Sequence, residues 1–167
     1  ILVTGSTGFL GRHLIKKLTS ENSELFISNT KKGNLHNYED FSQCFEDIKF
    51  DYIYHLAAKT KAGDYCLTHK GEQWIDNQIL NTNILKYWLE KQSQAKIIAM
   101  GTSCMFEPSD KPLEEEDCLM GDPDEGLATY AYTKRMLLIG LQSIAEQYGL
   151  EYTYFIPSTL YGTDFDL

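Results

Sequence analysis

The first eleven residues, ILVTGSTGFLG, determine the fold that the rest of the chain must complete. Residues 1–4 form an apolar run that predicts a buried strand, and residues 9–19 place apolar side chains at helical spacing. Gly5, Gly8 and Gly11 lie in the turn between these two elements. One glycine permits a tight bend, a second lets backbone N–H groups approach a pyrophosphate, and a third lets helix and strand pack closely. The partial positive charge of the helix N-terminus adds to this, so the stretch predicts a nucleotide-binding loop.

The alternative interpretation of this loop is a glycine-rich turn without a ligand, because short glycine motifs match often. Its position between a strand and a helix, in the first βα unit, favours nucleotide binding. Arg12 follows the last glycine, where a Walker A loop has lysine and then serine or threonine. The sequence therefore excludes a Walker A loop.

Strands and helices alternate along the rest of the chain. The predicted strands are residues 24–28, 50–56, 95–100 and 151–156, and the predicted helices are residues 38–45, 73–91 and 127–148. The intervening segments, residues 58–70 and 101–126, are predicted loops. This alternation predicts a parallel sheet covered on both faces, in a doubly wound α/β fold of the Rossmann type.

The length of 167 residues suits one domain, and 43% hydrophobic residues suffice for a core. The chain opens and closes in the middle of a pattern. We therefore expect residues 1–167 to be the dinucleotide-binding domain of a longer protein whose C-terminal substrate domain lies outside this sequence.

Acidic residues outnumber basic ones by 24 to 15, a formal net charge of -9. Residues 107–125 hold nine acids and one base, a net of -8, so the remainder is nearly neutral at -1. Without a basic surface, nucleic acid and anionic membrane are not expected partners. The apolar runs are too short to span a membrane, and four scattered cysteines without a secretory signal indicate a cytoplasmic protein without a metal site.

The end of the second predicted strand reads Ser28, Asn29, Thr30, Lys31 and Lys32. An NAD site usually places a carboxylate there to bind the ribose 2′-hydroxyl. Hydroxyls, an amide and two lysines suit a 2′-phosphate better, and Arg12 is a further candidate, so we favour NADP(H) over NAD(H). The alternative is that the lysines only form a solvated loop.

Tyr130 and Lys134 stand four residues apart and share one face of the last predicted helix. A nearby ammonium favours the phenolate, so we expect Lys134 to lower the pKa of Tyr130 and make it an acid/base for a hydroxyl or carbonyl. The spacing alone is weak, because most such pairs lie on a helix surface.

Together the motifs resemble the extended short-chain dehydrogenase/reductase family, also described as the NAD-dependent epimerase/dehydratase family. The resemblance covers the whole chain. It rests on TGSTGFLG at residues 4–11, DYIYHLAA at residues 51–58, Thr102 after the fourth strand, Tyr130 with Lys134, and PSTLYG at residues 157–162.

The resemblance implies an NAD(P)-dependent enzyme acting on a nucleotide-activated sugar. Tyr130 would exchange a proton with a sugar hydroxyl or ketone, Thr102 would hydrogen-bond the same oxygen, and Lys134 would hold the nicotinamide ribose. His55 is interpreted as structural. The implied cofactor-binding residues are Gly5, Thr7, Gly8, Phe9, Leu10, Gly11, Ser28, Asn29, Thr30, Leu35, Leu56, Ala57, Ala58, Lys134, Pro157 and Leu160.

Residues 101–108, GTSCMFEP, resemble the branch of the family that combines epimerisation with reduction. In that branch the cysteine of the run is an acid/base, a role that would fall to Cys104. The alternative is a small buried hydrophobe, the commoner fate of a free cysteine. Two other functions stay open: a nucleotide-sugar 4-epimerase with tightly bound NAD, and a dinucleotide-binding protein without catalysis.

Residues 73–91 carry a broad set of apolar residues, including Trp74 and Trp88. Such a face suits either packing on the sheet or a homodimer formed with residues 127–148, as the resemblance implies. The acidic segment joins Thr102 to Tyr130. Because inward carboxylates would repel an anionic substrate, we expect residues 114–117 to face solvent.

Overall fold

The computed structural model describes residues 1–61 and 64–162. One parallel sheet contains five strands: β1 Leu2–Thr4, β2 Phe26–Ile27, β3 Tyr52–His55, β4 Lys96–Met100 and β5 Tyr152–Phe155. The helices are α1 Phe9–Ser20, α2 Tyr38–Cys44, α3 Tyr65–Thr68, α4 Lys70–Lys91 and α5 Ala128–Tyr148. Two 3-10 turns, Ser103–Met105 and Glu115–Leu119, lie in the segment between β4 and α5.

The strand order is β2-β1-β3-β4-β5, with every neighbouring pair parallel. This confirms the predicted doubly wound α/β fold. The order changes direction between β1 and β3, and ligands of such sheets bind at that switch point, outside the carboxyl ends of the strands. Gly5 follows β1 and Leu56 follows β3, so the glycine loop lies at the switch point.

The main core packs the sheet against α2, α4 and α5. Aromatic rings supply much of its volume: Phe41 and Tyr87 meet edge to face, with ring centroids 4.9 Å apart. The buried indole of Trp88 donates its Nε1–H to the carbonyl of Ala95 at 2.8 Å, which satisfies its polar atom. A smaller cluster packs Met105 and Cys118, from the segment between β4 and α5, against Leu138 of α5.

Helix α4 differs from its prediction in two ways. It begins at Lys70, and the short helix α3 precedes it within a predicted loop. The apolar face also divides: Leu80, Ile84 and Trp88 are buried, but Ile75 is 58% exposed. Polar residues of α4 face the interior in place of the apolar residues that are exposed. Main-chain groups of neighbouring segments need hydrogen-bond partners there. These polar residues are Gln73, Asn77 and Asn81.

The nine acids of residues 107–125 are all exposed. This confirms that residues 114–117 face solvent. Some carboxylates bind the segment itself: Asp117 accepts from the amide of Glu114 at 3.0 Å, and Asp122 accepts from the hydroxyl of Tyr132 at 2.8 Å. Among the residues that the structure describes, no helix has the length and apolarity needed to cross a membrane.

Candidate active site

The glycine loop is shaped by close main-chain approaches. Gly5 has a φ of +66°, and a Cβ there would lie 2.6 Å from the amide nitrogen of Ala57. A Cβ on Gly11 would lie 2.3 Å from the carbonyl oxygen of Gly5. Gly8 differs, because its Cβ would meet only that same oxygen, at 3.4 Å. Gly5 and Gly11 are therefore needed for packing, whereas Gly8 leaves open space at the N-cap of α1.

Thr4 and His55 join the loop to the end of β3. The amides of Leu56 and Ala57 both donate to Thr4 Oγ1 at 3.2 Å, so the Thr4 hydroxyl donates to His55 Nδ1 at 3.0 Å. His55 Nε2 then donates to Asn81 Oδ1 at 3.2 Å. Burial, with the charge of Lys134 in addition, lowers the pKa of His55 to about 3. His55 is thus neutral and structural, as the sequence analysis expects.

The end of β2 uses part of its polar set internally. The Ser28 hydroxyl is buried and donates to the carbonyl of Gly33 at 2.7 Å. Asn29 Oδ1 accepts from the amides of Lys31 and Lys32 at 2.9 and 3.1 Å. Thr30 and both lysines are exposed. The residues with side chains open to a ligand are therefore Thr30, Lys31 and Lys32 rather than Ser28 and Asn29.

Leu35 does not bring its side chain to the predicted cofactor cleft. It is 3% exposed and packs in the main core, and its carbonyl accepts from Asn83 Nδ2 at 2.8 Å. Leu56, Ala57 and Ala58 are half-buried, and the main chain of Leu56 and Ala57 lies against Gly5 of the glycine loop. Pro157 is half-buried, and Leu160 is exposed.

Lys134 is buried, and its ammonium donates to the carbonyl of Met100 at 2.8 Å. Burial lowers the pKa of Lys134 to about 8. Its Nζ lies 5.8 Å from the centroid of the Tyr130 ring. The spacing of four residues therefore brings the two side chains together at the carboxyl end of β4.

The predicted lowering of the Tyr130 pKa is wrong for this structure. Burial, followed by the nearby thiols of Cys104 and Cys66, raises the pKa of Tyr130 to about 12, against a smaller lowering by a hydrogen bond with the Thr60 side chain. Desolvation disfavours the phenolate more than the surrounding groups favour it. Tyr130 is consequently a neutral phenol at physiological pH, with a proton to donate.

Thr102 caps the 3-10 turn that carries Cys104. Its Oγ1 accepts from the amide of Cys104 at 3.3 Å, and the amide of Ser103 donates to the carbonyl of Pro157 at 3.1 Å. Cys104 is half-buried and close enough to Tyr130 to affect its pKa. The structure thus gathers Cys104, Tyr130 and Lys134 at one edge of the sheet, with Thr102 at the start of the turn.

Thr60 and the residue that supports it were not among the site residues predicted from the sequence. Asn77 Oδ1 accepts from the amide of Lys59 at 2.8 Å, and Asn77 Nδ2 donates to the carbonyl of Lys59 at 3.0 Å. Asn77 thereby holds the segment that carries Thr60 against Tyr130. A signal existed in the sequence: Gln73, Asn77 and Asn81 recur every four residues inside an apolar helix face.

Within residues 1–61 and 64–162, no three His, Cys, Asp or Glu side chains are grouped to hold a metal ion.

The family model that matches this chain is the NAD dependent epimerase/dehydratase family, over residues 1–166. The chain therefore belongs to that family, and the resemblance inferred from its motifs is confirmed. The parallel sheet, the glycine loop at its switch point and the Tyr130–Lys134 pair are all consistent with this membership.

Among similar curated proteins are a probable GDP-L-fucose synthase of Drosophila melanogaster and a GDP-L-fucose synthase of Dictyostelium discoideum. The first is 26% identical and the second 28% identical to this chain, in each case over 97% of the chain. This chain covers 51% and 52% of the lengths of these two relatives. The chain thus spans about half the length of these relatives. A solved GDP-L-fucose synthetase from Naegleria fowleri bound to NADP is 30% identical, with a TM-score of 0.81, over 96% of this chain and 50% of its own.

Proposed function

We propose that this chain is the cofactor-binding part of an NADP(H)-dependent enzyme that epimerises and reduces a nucleotide-activated sugar. The observation that carries the proposal is the gathering of Cys104, Tyr130 and Lys134 at the carboxyl end of β4, beside a glycine loop at the switch point of the sheet. The similarity to GDP-L-fucose synthases supports the same class of substrate.

The glycine loop fits a dinucleotide. Gly8 leaves space where the loop meets the first turn of α1, and as the N-cap it has no side chain to occupy the amides of that turn. These amides, with the helix dipole, suit a pyrophosphate. In this proposal Gly5 and Gly11 shape the loop, Thr7, Phe9 and Leu10 border the pyrophosphate, and Ala57 with Ala58 lines the opposite wall.

The bound nicotinamide would supply or accept the hydride. Tyr130 would be the proton donor to the sugar carbonyl, because its phenol carries a proton at neutral pH and lies beside Lys134. Thr102 would hydrogen-bond the same oxygen and share its developing charge. Lys134 would hold the cofactor ribose with its ammonium, which already lies 5.8 Å from the Tyr130 ring centroid.

Cys104 is the proposed acid/base of the epimerisation step. Its position in the turn beside Tyr130 places a thiol near the same substrate carbons, where a group that can lose and regain a proton is needed. The resemblance implies that dehydratases of the family carry Asp-Glu directly after the catalytic threonine. Ser103 and Cys104 follow Thr102 here, which disfavours a dehydratase.

The preference for NADP(H) rests on the end of β2. Thr30, Lys31 and Lys32 are exposed there, and two ammonium groups attract a 2′-phosphate that NAD lacks. The internal hydrogen bonds of Ser28 and Asn29 leave the phosphate to these three residues. The Naegleria relative bound to NADP agrees with this preference.

The second candidate function is a nucleotide-sugar 4-epimerase, which would use the same Tyr130, Thr102 and Lys134 with a retained NAD.

We also propose that the protein forms a homodimer through α4 and α5. Trp74, Ile75 and Ile79 on α4 and Met136 and Ile139 on α5 are exposed apolar side chains that a second copy would cover.

The test uses the full-length protein with two substrate pairs: the 4-keto precursor of GDP-L-fucose with NADPH, and UDP-glucose with NAD⁺. We expect the 4-keto precursor to drive oxidation of NADPH, measured by nicotinamide absorbance. Interconversion of UDP-glucose with its 4-epimer would instead support the second candidate. Cofactor binding without turnover of either pair would contradict both enzymes and indicate a dinucleotide-binding protein.

A further inference from the structure

Arg135 is a buried cation whose acceptors are all main-chain carbonyls. The side chain is 6% exposed. Its Nε donates to the carbonyl of Met105 at 2.8 Å, its Nη1 to that of Gly121 at 2.7 Å, and its Nη2 to that of Met120 at 2.7 Å. The guanidinium therefore joins residue 105 to residues 120–121, across most of the acidic segment that lies between β4 and α5.

The free-energy cost of burying a guanidinium argues against a purely stabilising role for Arg135. Removing a guanidinium from water costs free energy that an apolar residue of similar size would not lose. What it supplies is a rigid planar fork with five donors in fixed directions. Such a fork sets the relative positions of the carbonyls that it binds more tightly than a flexible ammonium does.

Lys134 and Arg135 are neighbours on α5 and hold the two ends of one short segment. Lys134 binds the carbonyl of Met100, and Arg135 binds the carbonyl of Met105. Thr102 and Cys104 lie between these two attachment points. Tyr130 lies one helical turn before Lys134, so the same helix carries the tyrosine and both side chains that fix the segment facing it.

The main chain around Gly121, which Arg135 also binds, has an equally defined geometry. Gly121 has a φ of +54°, and a Cβ there would lie 2.3 Å from a carboxylate oxygen of Glu107. The Tyr132 ring lies 5.6 Å from the Arg135 guanidinium, and its hydroxyl binds Asp122. Residues 105–121 thus form a loop that Arg135 closes at its base, and the six acids within this loop are exposed.

We propose that Arg135 is a positioning residue, which sets the turn Ser103–Met105, and through it Cys104 and Thr102, relative to Tyr130. The proposal rests on the proposed function of this site for its effect on turnover. Its effect on the turn itself can be measured without turnover. Small displacements of reacting groups have large effects on rate, so loosening this turn is expected to lower kcat more than cofactor affinity.

The test compares Arg135→Lys and Arg135→Gln with the wild type in the full-length protein. We expect kcat to fall about 100-fold, with KM and the Kd of the cofactor changed less than about threefold. The second measurement is the alkylation rate of Cys104 relative to Cys44, read by peptide mass spectrometry. We expect that ratio to rise at least about fivefold, because a loosened turn exposes its half-buried thiol more often.

The control is Leu141→Ala, which removes a fully buried side chain of the main core two turns along α5. Equal loss of Tm in Leu141→Ala, with unchanged relative alkylation of Cys104 and near wild-type kcat, supports positioning. The same changes in both kinds of variant would reduce Arg135 to a stability role and overturn the proposal. A wild type without turnover whose Cys104 alkylation still responds to Arg135→Lys would overturn the proposed function and leave the positioning role standing.

Discussion

The glycine loop and the Tyr130 face, which consists of Cys104, Tyr130, Lys134 and Arg135, lie at the same carboxyl edge of the sheet but are built by different physical means. The loop depends on the absence of atoms: Gly5 and Gly11 approach other main-chain atoms where a Cβ would lie at 2.6 and 2.3 Å. The Tyr130 face depends on buried polar atoms. Lys134 binds Met100, and Arg135 binds Met105, both across 30 or more residues of chain.

Substitutions in the two regions are therefore expected to have different kinds of effect. An added methyl group in the loop acts by steric exclusion, with effects that hardly depend on pH. A substitution at the Tyr130 face changes the desolvation of charges and the position of proton-carrying groups, so its effects fall on kcat and on pH dependence. The four predictions below test this separation, from the largest expected effect to the smallest.

Tyr130→Phe is expected to lower kcat of the full-length protein by about a thousandfold or more, because it removes the proposed proton donor. The Kd of the cofactor should stay within about threefold, since the ring and the glycine loop are retained. Steady-state kinetics and isothermal titration provide the two measurements. Retained turnover in Tyr130→Phe would falsify the acid/base assignment.

Lys134→Met tests whether burial of the Lys134 ammonium determines how the stability of the protein depends on pH. The folded-state pKa of Lys134 is about 8, against an ordinary value of 10.5. Below about pH 8 both states carry the proton, and the wild type bears the whole desolvation penalty. Between these two pKa values the unfolded chain binds more protons, so the stability of the wild type rises with pH.

The free energy of unfolding of Lys134→Met, relative to wild type, should therefore fall by up to about 3 kcal/mol between neutral pH and about pH 10. Denaturant unfolding of the full-length protein at both pH values measures this difference. Lys16→Met, at an exposed position of α1, is the matched control and should show no such trend. A difference independent of pH would mean that burial does not set the Lys134 pKa.

Gly11→Ala and Gly8→Ala divide packing from ligand approach within the glycine loop. Gly11→Ala should lower the free energy of unfolding by about 2 kcal/mol and abolish cofactor binding, because the methyl group collides with the Gly5 carbonyl. Gly8→Ala should cost less than about 1 kcal/mol of stability. It should nevertheless weaken cofactor binding at least about tenfold, since its methyl group occupies the space where the pyrophosphate is proposed to bind.

Chemical denaturation and titration with NADPH distinguish the two glycine variants. Wild-type affinity in Gly8→Ala would show that the pyrophosphate does not approach this residue. Equal destabilisation by the two substitutions would show that the open space at Gly8 does not distinguish it from Gly11.

The double variant Lys31→Ala/Lys32→Ala is expected to have the smallest effect, because both side chains are exposed and screened by salt. NADPH affinity should fall about tenfold and NADH affinity should not change. The control is Lys16→Ala/Lys17→Ala on α1, which removes the same charge from exposed positions further along that helix. Equal losses for NADPH and NADH would place the 2′-phosphate elsewhere.

The fold was predictable from the sequence because its signals are local. The alternation of short apolar strands with periodic helices predicts the parallel sheet, and ILVTGSTGFLG places the glycine loop after its first strand. The spacing of Tyr130 and Lys134 on one helix face was predictable for the same reason. The shared position of these two residues depends only on helix geometry.

Three features of the site were not predictable from the sequence. The pKa of Tyr130 rises where a fall was expected, the side chain of Leu35 turns into the core, and Arg135 takes main-chain carbonyls as its acceptors. Each depends on how completely other segments cover the side chain. Such coverage follows from packing between elements that are distant in the chain, and residue spacing carries little information about it.

By itself, therefore, the sequence determined the glycine loop, the alternation of strands and helices, and the set of residues that could do the chemistry. Only the tertiary structure decided which of them are desolvated: a neutral phenol at Tyr130, a buried ammonium at Lys134, and a guanidinium at Arg135 that holds the turn of Cys104. The physical reason is that steric limits on the main chain act between near neighbours. Desolvation depends on every atom that surrounds a charge in the folded chain.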